Sequence, residues 1–223
     1  MRGSTLIYKA VAEAIGTFTL VFAGCGGMMV SERFPGSLPA FAIPLIFGIA
    51  VMMMVYAAGH ISGAHFNPAV TLAFSIARHF PAKQVPLYWL AQCAGAFLAL
   101  FLLIMLLPEG KSFGATAPHI AYGQALGWEI VLTFFLMFVI ISVATDTRAV
   151  GIMAGIAIGA SVTLGAFIGG PLTGASMNPA RSLAPAVFEH RLDALWIYIA
   201  GPMIGALLAA FLYEWIRNPK EHS

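Results

Sequence analysis

Six long apolar runs, each able to form a helix of about 20 residues, restrict this chain more than any other feature of it. They read approximately as Tyr8–Val30, Pro39–Ala58, Val85–Leu107, Gly123–Thr145, Val150–Ile168 and Ala194–Ile216. A helix of that length crosses a hydrocarbon layer of about 30 Å. Inside lipid, every backbone N–H and C=O must find its partner within the protein, so a run of this kind spans as a helix. Composition agrees. Only 9% of residues are charged, where a soluble domain carries about 25%. The expected fold class is an all-α membrane protein with a single domain over residues 1–223.

Other classes fall away for stated reasons. A net charge of +2 with no basic patch excludes a nucleic-acid binder. Cys25 and Cys93 both sit in apolar runs and read as small buried hydrophobes rather than a disulfide. No His, Cys, Asp or Glu spacing suits a metal ion, and no cofactor is implied. The first run follows a basic start but contains Glu13 and precedes five further runs, so it reads as a first span rather than a signal peptide.

The chain repeats itself. "SGAHFNPAVTLA" begins at Ser62 and "TGASMNPARSLA" at Thr173, and each leads into a short helical pattern, Ala69–Phe80 and Ala180–Val187. Upstream, "AEAIGTFTLVF" from Ala12 matches "WEIVLTFFLMF" from Trp128, which aligns Glu13 with Glu129. Each half, about 8–107 and 123–216, thus holds two spans, one short helix and a third span. Three is an odd number, so the second half lies inverted relative to the first. Lys and Arg set the orientation: Arg2, Lys9, Arg78, Lys83, Arg148, Arg217 and Lys220 fall on one side, against Arg33, Lys111 and Arg191 on the other. The richer side is cytoplasmic and carries both termini.

Inversion makes the two phrases enter from opposite sides and end near the membrane midplane. The first patterned helix reaches about 18 Å, about half the hydrocarbon core. Asn67 and Asn178 take N-cap positions, followed by Pro68–Ala69 and Pro179–Ala180; proline at the first helical position loses nothing by lacking an N–H. The segments before them are rich in small residues and read as extended backbone. Their carbonyls at Gly63, Ala64, His65, Gly174, Ala175 and Ser176 would face a water-filled cavity. Two positive helix ends meeting at one point repel cations, and the asparagine amides are free to donate to a passing oxygen. Glu13 and Glu129 are expected to accept hydrogen bonds from the backbone N–H groups of these loops.

With "HFNPAVT" and "MNPARS" in inverted halves, the chain resembles the major intrinsic proteins, the aquaporins and aquaglyceroporins, from Ala12 to about Ile216. The resemblance implies a bundle of six transmembrane helices and two re-entrant half-helices, one pore per protomer, and a homotetramer in the cell membrane. It also implies an outer selectivity filter, which falls here on Phe47, Ala166, Ala175 and Arg181. Gly165 and Phe167 are the neighbours that a one-residue gap would substitute for Ala166. Strict water channels usually place His in span five, where this chain has none. Glycerol facilitators usually carry Asp after the filter Arg, where this chain has Ser182. The second re-entrant sequence is most similar to the nodulin-like branch. That implies a passive channel for water and small neutral solutes such as glycerol, urea, arsenous acid or boric acid. The alternatives are a strictly water-selective channel and, more remotely, a secondary transporter with inverted repeats. An intramembrane enzyme built on His60, Ser62 and His65 lacks an orienting group and an oxyanion site.

Overall fold

The six long runs form helices, and the two Asn-Pro phrases start two short ones. The computed structural model of the chain describes residues 5–39, 41–107, 112–149 and 151–217. The spanning helices are α1 (Leu6–Arg33), α2 (Ala42–Ser62), α4 (Val85–Leu106), α5 (Tyr122–Thr145), α6 (Ala154–Thr173) and α8 (Leu195–Arg217). Between them lie α3 (Pro68–Ile76) and α7 (Pro179–Phe188). No strand occurs among the described residues. Arg2, Lys111 and Lys220 of the charge count, the start of the outer loop at 108–111, and Val150 at the expected start of span five lie outside the described residues.

Helix ends depart from expectation in an instructive way. Spans two and five were expected to stop at Ala58 and Ile168, but α2 runs on to Ser62 and α6 to Thr173. The small residues there suit close helix packing in a bilayer as well as they suit a loop. What stops each helix is Gly63 at φ +90° and Gly174 at φ +82°, a left-handed cap that glycine alone adopts without penalty. The extended segments are therefore shorter than expected. The first half-helix also ends early, at Ile76 rather than Phe80. Arg78 turns left-handed at φ +64° and the His79 N–H donates to the Phe74 carbonyl at 2.8 Å. α7 ends the same way, with His190 at φ +55° and the Arg191 N–H on the Ala186 carbonyl at 2.9 Å.

Packing repeats in the two halves. α1 packs on α2 and α4, α5 packs on α6 and α8, and α2 against α6 joins the halves. A Cβ on Gly95 would overlap the Ala14 carbonyl, and one on Gly205 would overlap the Ile130 carbonyl. α4 and α8 thus meet α1 and α5 backbone to backbone at matching points, the closeness that dispersion packing requires where lipid is as apolar as the side chains. The short helices cross between halves: α3 rests on α8 and α4, and α7 on α4 and α8. Large apolar residues such as Leu90, Phe101, Phe135, Leu164 and Trp215 are exposed on the outer surface, as a bundle with an apolar surrounding allows. At one end of α5, Arg148 hydrogen-bonds Asp146 and holds its carboxyl well below the usual carboxylate range.

Candidate functional site

The backbones leading into α3 and α7 are near copies. Ala64 and Phe66 both have φ +52°, while Ala175 has +45° and Met177 +53°. Four non-glycine residues in the left-handed region cost about 1 kcal/mol or more each and persist only where their surroundings hold them. Two buried carboxylates do so. Glu13 Oε1 accepts from Ser62 Oγ at 2.7 Å and His65 N at 2.9 Å, and Oε2 from Phe66 N at 2.7 Å and Gln92 Nε2 at 2.8 Å. Glu129 Oε1 accepts from Thr173 Oγ1 at 2.7 Å and Ser176 N at 3.0 Å, and Oε2 from Met177 N at 2.9 Å. Tyr88 and Tyr198 hydroxyls donate to the Ser62 and Thr173 carbonyls, each at 2.7 Å. Gln92 alone breaks the symmetry. A lone amide in an apolar span was the sequence signal for it.

Asn67 and Asn178 are the N-caps of α3 and α7: Asn67 Oδ1 accepts from Ala69 N, and Asn178 Oδ1 from Ala180 N and Arg181 N. Their amides are not wholly free, as the sequence suggested. Asn67 Nδ2 donates to the Met177 carbonyl at 2.7 Å, and Asn178 Nδ2 to the Phe66 carbonyl at 2.9 Å. The halves are stitched together reciprocally at their centre. An amide carries two N–H groups, so one on each asparagine remains beyond this exchange.

The remaining residues surround one cavity between the halves. Phe47, Ala166, Ala175 and Arg181 line it together with both asparagines. Its volume is about 50 Å³, against roughly 10–15 Å³ for one water, so it holds a few molecules in a narrow passage. Arg181 is 3% exposed. Its guanidinium lies 4.9 Å from the centre of the Phe47 ring, and it donates to the Gly114 carbonyl at 2.7 Å and to Met28 Sδ at 3.6 Å. Neither Met28 nor Gly114 carried a signal in the sequence. Ala166 faces the cavity, whereas Phe167 is 43% exposed on the outer surface and Gly165 backs onto Met177 Sδ. Of the six expected carbonyl positions, Ala64, His65, Ala175 and Ser176 line the cavity. Gly63 and Gly174 do not, because they are committed as the helix caps.

The side chains of His60, Ser62 and His65, the residues of the rejected enzyme reading, have no partner in common. Ser62 donates its hydroxyl to Glu13, His65 Nδ1 pairs with Thr71 Oγ1 at 3.1 Å, and His60 is exposed. Among the described residues no cluster suits a metal ion, and both cysteines are free thiols.

The comparisons with known proteins agree with this geometry. The profile described as Major intrinsic protein matches residues 1–213. Aquaporin NIP1-1 of Oryza sativa is 49% identical over 212 residues, 95% of this chain and 75% of that protein. Nodulin-26 of Glycine max is 47% identical over 212 residues, 95% of this chain and 78% of that protein. The X-ray structure of the aquaglyceroporin from Plasmodium falciparum has a TM-score of 0.88, covers 96% of this chain and 98% of its own, and is 24% identical; at that identity the likeness is one of fold. A family of channels, not of enzymes, is what the inverted halves, the paired asparagine caps and the sequence likeness jointly point to, and this chain belongs to the major intrinsic proteins.

Proposed function

We propose that this chain is a passive channel for water and small uncharged solutes, among them glycerol, urea and neutral metalloid hydroxides such as arsenous and boric acid, and that it excludes ions and protons. The carrying observation is the narrow cavity between the halves that Asn67 and Asn178 line together with Phe47, Ala166, Ala175 and Arg181. Phe47 and the alanines supply an apolar wall, and Arg181 with the loop carbonyls supplies donors and acceptors to replace a solute's water. The likeness to nodulin-26 and an aquaporin at 47% and 49% identity supports the channel reading. The working unit is a homotetramer in the cell membrane, each protomer with its own pore and both termini in the cytoplasm; the Lys and Arg count supports that orientation. Residues 1–223 act as one channel domain. No cofactor takes part.

Stopped-flow light scattering on proteoliposomes tests the reading directly. Water, glycerol and arsenous acid are expected to pass downhill with no dependence on a proton gradient. Dependence on that gradient would make the chain a carrier. Rejection of every solute but water would make it a strict water channel.

Ion exclusion has its own test. α3 and α7 point their positive N-terminal ends at the asparagines, and Arg181 adds a full charge, so cations meet a barrier. The remaining asparagine N–H groups orient each water by its oxygen and interrupt a proton-hopping chain. Asn178→Asp exchanges the donor for an acceptor-only carboxylate facing the Phe66 carbonyl and offsets the local field. The α7 cap survives, since a carboxylate oxygen still accepts from Ala180 N. A measurable proton or sodium conductance in planar bilayers is expected from the mutant and none from the wild type. A mutant as tight as the wild type would refute the role of the amide.

A further inference from the structure

Arg181 is fixed from outside its own helix. The loop before α5 descends into the protein: Gly114 and Thr116 are buried, and the Gly114 carbonyl accepts from Arg181 at 2.7 Å. What shapes the loop is Glu189, the residue just past the end of α7, whose side chain is 7% exposed. Glu189 Oε1 accepts from Phe113 N at 2.6 Å and Ala115 N at 3.0 Å, with Ser112 Oγ at 3.5 Å. The two backbone donors flank Gly114, so one carboxylate oxygen folds the loop around it and aims the Gly114 carbonyl at Arg181. Gly114 itself sits at φ +82° against Cys25 on α1. Arg191 lies 3.6 Å from Glu189 Oε2 but is 64% exposed, and a solvated pair of this kind contributes little.

We infer that Glu189 is a positioning residue for the outer constriction: through the 112–115 backbone it holds the Gly114 carbonyl that keeps the Arg181 guanidinium against the wall. This deepens the proposed function and rests on Arg181 standing at that constriction. Beyond Gly114 the loop has separate anchors, Thr116 Oγ1 with Ser182 Oγ at 2.8 Å and His119 N on the Leu172 carbonyl at 2.9 Å. Loss of Glu189 therefore slackens 112–115 and leaves the rest of the loop and α7 in place. Arg181 Nη1, deprived of a fixed acceptor, turns into the passage and narrows it.

The test compares Glu189→Ala and Glu189→Gln with the wild type in proteoliposomes, normalised to incorporated protein, alongside a structure of the alanine variant. The glycerol-to-water permeability ratio is expected to fall by about fivefold in Glu189→Ala, the lower range for coupling carried by a charge-assisted hydrogen bond. Glu189→Gln keeps an accepting oxygen at Oε1 and is expected to restore the ratio. A merely structural role would lower both fluxes in proportion and leave the ratio unmoved. An unmoved ratio in a wild type that passes glycerol, or a Gly114–Arg181 contact intact in the variant's structure, overturns the inference. A wild type that passes water alone overturns the solute reading instead, and the structure of Glu189→Ala then decides the inference by itself.

Discussion

Glu129→Ala is expected to abolish permeation and to lower the melting temperature in detergent by roughly 10–20 °C, taking about 2–4 °C per kcal/mol for a chain of this size. The substitution removes the acceptor of Thr173 Oγ1, Ser176 N and Met177 N. Each orphaned donor costs about 1–3 kcal/mol where water does not reach it, on the order of 5 kcal/mol together, a large share of a domain's whole stability. Those bonds are also what hold Ala175 and Met177 in the left-handed region. Without them the segment relaxes, the Met177 carbonyl leaves Asn67, and the stitch between the halves opens. The matching change Glu13→Ala is expected to cost less. Gln92, on α4, already reaches Glu13 and has a buried Oε1 with no hydrogen-bond partner, and a turn of its amide brings that acceptor to the orphaned donors. The measurements are thermal unfolding in detergent and water flux per incorporated protein. A Glu129→Ala protein that melts and conducts like the wild type would show that the loop holds itself, and equal losses in the two mutants would remove the part given to Gln92.

The sequence made the architecture legible because a bilayer leaves few choices. Apolar runs of spanning length, an odd number of spans per repeat and a doubled Asn-Pro-Ala phrase together imply inverted halves with helix caps facing each other. Local detail was legible where backbone chemistry repeats, as at Asn67 and Asn178. It failed where one residue type serves two purposes. Gly59 and Gly170 read as loop but lie inside helices, and only Gly63 and Gly174 make the left-handed stop. Glu13 and Glu129 stood out because an acid in an apolar run is costly, whereas Met28, Gly114 and Glu189 looked ordinary. They reach Arg181 only through tertiary contacts with α1, the outer loop and the end of α7, and no local pattern encodes those. The asparagine amides were read as free for a related reason: their partners, the Met177 and Phe66 carbonyls, are 110 and 112 residues away.

Ala166→His is expected to cut glycerol and arsenous acid flux by about tenfold or more while water flux changes only a few-fold, the difference of about 1.4 kcal/mol in barrier that tenfold represents. A solute must exchange its hydration shell for the wall and the few polar groups around Arg181. It also needs width, which the two alanines at 166 and 175 leave open. An imidazole at 166 fills that width, and the surroundings do not yield. Met177 Sδ packs behind α6 at Gly165, so the helix cannot retreat, and Phe47 is held against the Arg181 guanidinium at 4.9 Å. Water, small enough to pass in file, trades wall contacts for a hydrogen bond to the ring and still crosses. Solute-driven reswelling of proteoliposomes, mutant beside wild type, gives both numbers in one preparation. A mutant that passes glycerol as freely as the wild type would move the constriction away from Ala166, and a mutant that stops water and solute equally would mean that the ring plugs the passage rather than narrowing it.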